Sequence, residues 1–257
     1  MVIIIRRYFG KIISWFRNTR FRVEYYRKLK TLKRLRPPRQ YPHSKVLRSD
    51  KEYKEAIAFL RSNGIITDPT QYKNWDNLAA LSIILKHAPK NAKILDAGGE
   101  FASVILPWLS FYGYKNLKGI NLSFKKITNL GPITYEFGDI TKTRFQDNSF
   151  DVITCISVIE HGVDLERYFK EVSRILKPHG LLFTSTDYWC EKISTKNKVA
   201  YNVKVKIYDK QEIIHAVSSV KQYNLRLMGN LDLDCKDQVV KWRGLDYTFM
   251  YFTMQKE

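Results

Sequence analysis

This 257-residue chain has little cysteine and, at one end, almost no acid. Its cysteines, Cys155, Cys190 and Cys235, lie far apart in the sequence and form no C-x-x-C. That excludes a disulfide scaffold and a cysteine-rich zinc site, and no metal is expected. The thiols read as free groups of a reducing compartment, so the expected location is cytoplasmic. No run reaches the roughly 18 unbroken apolar residues of a membrane span. The opening "VIII" is too short for the apolar core of a secretory signal, and Arg6, Arg7 and Lys11 interrupt the next stretch. No G-x-G-x-x-G occurs, which argues against a nicotinamide-binding protein.

Acid is scarce only at the N-terminus. Residues 1–48 hold 15 Lys/Arg against a single acid, Glu24, whereas the rest of the chain holds 29 against 24. Most of the net charge of +19 therefore belongs to an N-terminal extension. Its first stretch has helical periodicity. Ile5, Phe9, Ile12, Ile13 and Phe16 fall on one side, and Arg6, Arg7, Lys11, Ser14 and Arg17 on the other. A second basic stretch, "RVEYYRKLKTLKRLRPPR", should stop near Pro37–Pro38. An apolar face opposite a basic one suits an anionic membrane surface, where each basic residue contributes on the order of 1 kcal/mol. A helix docked on the domain, a nucleic-acid-binding arm and an organellar presequence are the competing readings. The division expected is a basic amphipathic extension over 1–48 and a domain over 49–257, with its core at 90–257.

From about residue 90, strands and helices alternate. "KILDA", "LKGINL", "ITYEFGD", "FDVITCIS" and "LLFTST" read as strands. "FASVILPWLSFYG" reads as a helix, and so does "LERYFKEVSRILK", with the apolar stripe Leu165, Tyr168, Phe169, Val172, Ile175 and Leu176. A further helix, "DKQEIIHAVSSVKQY", has Asp209 as its N-cap. The alternation implies a parallel sheet covered by helices on both faces. "LRLMGNL" and "LDYTFMYFTM" come last with no helix between them, which implies an antiparallel edge. Upstream, "TQYKNWDNLAALSIILKHAP" reads as a covering helix that buries Trp75, Leu78, Leu81, Ile84 and Leu85. Alternatively, its Lys73, Asn74 and Trp75 sit over the cleft.

The run "GDITKTRFQDNSFDVITCISVIEHGVDLERYFKEVSRILKPHGLLFTST" has a specific order: GD, a turn with FD, a strand, EH, then a helix ending in R-x-L-K-P-x-G before another strand. Together with "KILDAGGEFA", it resembles the class I S-adenosylmethionine-dependent methyltransferases of the small-molecule type. "KNWDNL" and "STDYW" give a softer likeness to members from polysaccharide and glycan biosynthesis clusters. The resemblance covers roughly residues 65–257. It implies a Rossmann-like, seven-stranded, mostly parallel sheet with helices on both faces and an antiparallel last strand, preceded here by the basic helical extension. It also implies S-adenosyl-L-methionine as cofactor.

In open parallel sheets, ligands bind beyond the carboxyl ends of the strands where the strand order reverses. The loop after the first strand must let backbone approach the cofactor, and Gly98 and Gly99 allow that. The likeness assigns Asp96 to the methionine amino group, with Ala97 and Glu100 completing the loop. Glu100 and Ala102 stand where the family has further glycines. Glu100 either points away or reaches the donor's ammonium group. The family acid that takes the ribose hydroxyls is here Asn121, which can accept one hydrogen bond but without charge assistance. Such a bond is worth roughly 0.5–1.5 kcal/mol instead of 1.5–3, so a roughly tenfold weaker cofactor is expected, and Asn121→Asp should tighten it. By the same likeness, Asp139 and the Ile140 backbone read adenine, Leu122 and Ile140 floor it, and Ile156 and Ser157 line the methionine.

His161, after Glu160, could act as base, hydrogen-bond the acceptor or merely anchor its loop. Asp187, Tyr188 and Trp189 leave the fifth strand: the acid suits hydroxyl groups or a base role, and the aromatics suit stacking on a sugar. "CEKISTKNKVAYNVKVKIY" is expected to form a lid. The leading expectation is O-methylation of a small-molecule, sugar or glycan acceptor at the inner face of a membrane. A non-catalytic binding protein of the same fold is the next reading. An RNA methyltransferase using the arm ranks last, because the domain shows no aromatic-plus-basic RNA-binding motif.

Overall fold

A computed structural model describes the backbone of residues 2–32 and 34–257, and the side chains of residues 17–32 and 34–257. The side-chain readings for Ile5 through Phe16 lie outside the described residues. The N-terminal helix α1 (Val2–Thr31) is followed by a short strand β1 (Ser44–Val46), then α2 (Asp50–Ser62) and α3 (Lys73–His87). Next come β2 (Lys93–Ala97), α4 (Ile105–Phe111), β3 (Asn116–Asn121), β4 (Thr128–Leu130), β5 (Ile133–Phe137) and β6 (Phe150–Ile156). After them come α5 (Leu165–Ile175), β7 (Leu176–Tyr188), a small hairpin β8 (Val199–Ala200) and β9 (Val203–Lys204), and α6 (Lys210–Ser219). The chain finishes with β10 (Leu225–Leu227), β11 (Val240–Trp242) and β12 (Leu245–Lys256).

The main sheet runs β1-β12-β7-β6-β2-β3-β5-β4, with β10 and β11 also on β12. Its centre, β5-β3-β2-β6-β7, is parallel. The long β12 runs antiparallel to β7 on one side, and β10, β1 and β11 dock along its other side. The expected parallel core and antiparallel finish are both present. The sheet has ten strands where seven are expected, because the short strands β1, β4 and β11 extend its edges. β1 belongs to this sheet, so residues 44–46 of the basic stretch are built into the domain, with Val46 and Leu47 fully buried.

Two apolar layers sandwich the sheet. On one face, Phe21 and Tyr25 of α1 join residues of α2, α3 and α4 against Ile94, Tyr135, Phe183 and Tyr251. On the other, Tyr168, Phe169, Val172 and Ile175 of α5 and Ile213 of α6 pack on Leu95, Ile153, Tyr188 and Phe252. The stripe read from the sequence is thus what pins α5 down. Asp164 caps α5 by accepting from Arg167 N, and Asp209 with Glu212 forms a full capping box on α6. α3 is buried along most of its length, including Asn74 and Asp76, because it lies within the first layer. Among the described residues, no helix is long and apolar enough to cross a membrane.

The α1 helix ends at Thr31, ahead of the prolines. Beyond it the chain lies on the domain: Arg36 N donates to Asn63 Oδ1, and Ser82 Oγ donates to Arg39 O. The strand order reverses between β2 and β6, so the loops after these two strands flank the ligand crevice of the fold.

Candidate active site

The loop after β2 is shaped by what lies beneath it. Gly98 has φ +90°, and a Cβ there would come within 2.6 Å of Val158. A Cβ on Gly99 would lie 2.1 Å from the Asp96 carboxylate. The two glycines therefore let the backbone close directly over that acid. Asp96 is buried and accepts a 2.7 Å hydrogen bond from Thr154 Oγ1 of β6. Burial raises its pKa to about 6, against the pull of that bond. Ala97 is fully buried at the strand end, and Gly98 N donates to Ile120 O.

Asn121 plays a different part from the one the sequence suggests. Its Nδ2 donates to Gly98 O at 2.6 Å and also reaches Gly99 O at 3.4 Å, while its Oδ1 accepts from Ser123 N at 2.8 Å. Donors face carbonyls and the acceptor faces an amide, so the orientation of the side chain follows from its partners. Asn121 clasps the glycine loop, and its oxygen is engaged. Glu100 pairs with Arg17 of α1. On the adenine side, Asp139 Oδ1 closes a local turn with Thr141, Ile140 is buried and Leu122 is exposed on the rim.

After β6 the chain turns sharply. Ser157 adopts φ +52° and its N–H donates to Ser185 O and Oγ. Ile156 precedes it at the strand end, half-buried. Glu160 is buried and accepts from Thr186 Oγ1 at 3.2 Å, and burial together with Asp187 pushes its pKa well up. His161 Nε2 lies 4.0 Å from Glu160 Oε1. Burial and the nearby Lys73 hold the His161 imidazole at a pKa of about 4, so it is neutral at neutral pH.

Asp187 is buried at the end of β7, with Tyr247 of β12 close to it. Burial raises its pKa to about 7 against the opposing pull of Lys73 and Tyr247. Asp76 of α3, accepting from Ser185 Oγ at 2.7 Å, is raised by burial to about 6. Lys73 is desolvated, yet Glu160, Asp76, Asp68 and Asp187 outweigh that cost and hold its pKa above the ordinary value. Lys73 thus belongs to the cleft, whereas Asn74 is tied to the Asp68–Gln71 turn and Trp75 is packed on Tyr251.

Tyr188 must be removed from the acceptor site. It is fully buried in the layer under α5 and α6, and its hydroxyl donates to Leu233 O. Strand β7 runs through residue 188, so Asp187 and Tyr188 point to opposite faces. Trp189 remains on the cleft side, half-buried against the first layer. The segment expected to form a lid carries the β8–β9 hairpin, whose Tyr201 ring lies 5.1 Å from that of His161. Asp76, Tyr247, Tyr201 and Arg17 were not candidates on sequence. Of these, Asp76 carried a usable signal, an acid one turn after the cleft residue Lys73.

Residues 95–184 match the methyltransferase-domain family. The matched stretch, about a third of the chain, is thus similar to a methyltransferase domain. Among curated proteins, the chain is similar to sterol 24-C-methyltransferases. Identity is 25% over 116 residues to that of Aspergillus fumigatus, covering 43% of this chain and 31% of the relative. It is 24% over 161 residues to ERG6B of Gibberella zeae, covering 56% and 42%. The chain thus spans about a third to two fifths of the length of these relatives. The fold is shared with an S-adenosylmethionine-dependent methyltransferase from Mesorhizobium loti, with TM-score 0.50 and 16% identity over 68% of this chain and 97% of that one. It is also shared with the [4+2]-cyclase SpnF, with TM-score 0.51 and 11% identity over 72% and 82%. A fold that serves a cyclase as well leaves the reaction to be argued from the site.

The residues present fit the cofactor of such a domain, S-adenosyl-L-methionine. A Cβ at Gly98 or Gly99 would fill the cradle over Asp96, and Ser157 Oγ and His161 Nδ1 are buried with no protein partner among the described residues.

Proposed function

We propose that this chain transfers a methyl group from S-adenosylmethionine to a hydroxyl of a sugar or glycan intermediate. The observation that carries the reading is Asp187, a carboxylate buried at the carboxyl end of β7 with its pKa raised to about 7, beside Lys73 and Tyr247. When bound, the cofactor supplies a methyl group on a positively charged sulfur. Gly98, Gly99 and Asp96 hold its methionine end, and Asp139 with Ile140 and Leu122 holds its adenine. Asp187 takes the proton from the acceptor hydroxyl as oxygen attacks, and Lys73 and Tyr247 keep that carboxylate in place. His161 is neutral and available to hydrogen-bond the acceptor. Most of the rate comes from alignment, which in well-oriented systems supplies roughly 7–11 kcal/mol.

The same proposal places the protein at the inner face of a membrane. Arg20, Arg27 and Lys30 are exposed on α1, along with Val23 and Leu29, a mixture suited to anionic lipid. Deleting residues 1–48 would remove β1, so charge reversal is the better probe: Arg20→Glu, Arg27→Glu and Lys30→Glu together should abolish flotation with anionic vesicles. Equal flotation of variant and wild type would remove the membrane reading. For the reaction, a screen of labelled donor against nucleotide sugars and lipid-linked saccharides should give a methylated product that Asp187→Asn loses. Turnover of none of them, with donor still bound, would favour the second reading, a binding protein of the same fold. The engaged side chains of Glu100 and Asn121 are what recommend that alternative.

A further inference from the structure

We propose that the N-terminal helix is a working wall of the cofactor cleft, and that Glu100, in a glycine's place, is its anchor. This rests on the cofactor reading given above. Five residues on successive turns of α1 converge on the loop after β2 and the elements next to it. Arg17 pairs with Glu100. Phe21 meets the Phe101 ring edge-on at 6.5 Å, and the Arg22 guanidinium stands 5.5 Å from the same ring. One turn further on, Tyr25 stacks on Phe111 at 5.4 Å and its hydroxyl shares a 3.0 Å hydrogen bond with Ser110 Oγ. The next residue, Tyr26, accepts from Gly131 N.

Phe101 passes these contacts inward. Its ring lies 5.0 Å from that of Tyr135, which packs under Gly119 and beside Asp96. From the other side, Tyr201 of the β8–β9 hairpin lies close to Glu100. The glycine loop is therefore held from below by Asn121 and from above by α1 and the hairpin. A glycine at position 100 would remove the ion pair by which α1 grips the loop directly. Arg17 and Glu100 are positioning residues: they touch the loop and not the reacting atoms. Because the loop conformation that α1 stabilises is the one that closes over Asp96, arm docking and cofactor binding must favour each other.

The test is a charge-swap cycle in the full chain with S-adenosylhomocysteine as the probe. Arg17→Glu and Glu100→Arg should each weaken binding by about threefold to tenfold, and the double variant should recover to within about twofold of wild type. Amide exchange across residues 17–31 should slow when the probe binds to wild type. Single variants that bind like wild type, a double variant as weak as the sum of the singles, or unchanged exchange in α1 each overturn the coupling. Loss of binding in the wild type itself would instead overturn the cofactor reading, and the coupling with it.

Discussion

Replacing Asn121 by aspartate restores the acid that the family uses for the ribose, yet here it should weaken cofactor binding. The Asn121 amide nitrogen sits 2.6 Å from Gly98 O and 3.4 Å from Gly99 O. A carboxylate oxygen in that position faces two carbonyls with no proton between them. The hydrogen bonds lost are worth about 0.5–1.5 kcal/mol each, and the carbonyl left unsatisfied in a half-buried site costs about 1–3 kcal/mol more. Against this stands about 1–1.5 kcal/mol gained if the carboxylate swings out to the ribose. The balance is about 0.5–5 kcal/mol against binding, so affinity should fall by roughly tenfold or more, since about 1.4 kcal/mol is one decade. Calorimetric titration with S-adenosylhomocysteine reads it directly, and Asn121→Ala separates loss of the clasp from repulsion, with an intermediate loss expected. Equal or tighter binding by Asn121→Asp would show that the clasp contributes nothing and return Asn121 to the role of a weakened ribose ligand.

The same site gives three further outcomes. Gly99→Ala places a methyl group 2.1 Å from the Asp96 carboxylate, so the acid or the loop must shift; probe binding should fall by at least about tenfold, with a melting loss equivalent to about 1–3 kcal/mol. Asp96 has its pKa raised to about 6, so the unfolded chain ionises first, and this group removes stability as pH rises from about 4 to 6. Asp96→Asn should therefore melt higher than wild type above pH 6, by about 3 kcal/mol, and equal it near pH 4, while losing the probe; no pH-dependent difference in melting would refute the assignment. If Asp187 is the base, activity should fall as pH drops through about 7, and Asp187→Asn should lose about 100-fold or more in kcat; a variant with an unchanged pH profile would exclude that role.

The parts of the fold legible in the sequence are those set by local pattern. The stripe of α5, the Asp209–Glu212 spacing that caps α6 and the apolar run of β6 each need only their own residues to be recognised. β1 is three residues long, sits in a basic stretch and exists only because Met250–Phe252 of β12 accept it. No local pattern could announce that pairing. The site divides the same way. Gly98, Gly99 and Asp96 follow from the turn itself, whereas Arg17–Glu100 and Asp76–Ser185 join segments remote in sequence. Asn121 is an intermediate case: its identity is visible, but whether its amide points at ribose or at the loop depends on where Gly98 O lies. Tyr188 was decidable, because adjacent strand residues face opposite ways and the strand needed only to be extended by two residues.

The cleft also bears on what kind of acceptor can enter it. Asp76, Glu160 and Asp187 are buried beside the half-buried Lys73, and each carboxyl has its pKa pushed upward mainly by desolvation. Ser185 and Thr186 satisfy one side of Asp76 and Glu160. An apolar acceptor laid over this cluster would remove the remaining water and offer no donor in return, a cost of roughly 1–3 kcal/mol for each group left unpaired. A polyol supplies hydroxyl donors where those acids need them. The sterol enzymes to which the chain is similar share at most 43% of their length with it. That similarity therefore places little constraint on the acceptor side, and the carboxylates of this chain argue for an acceptor rich in hydroxyl groups.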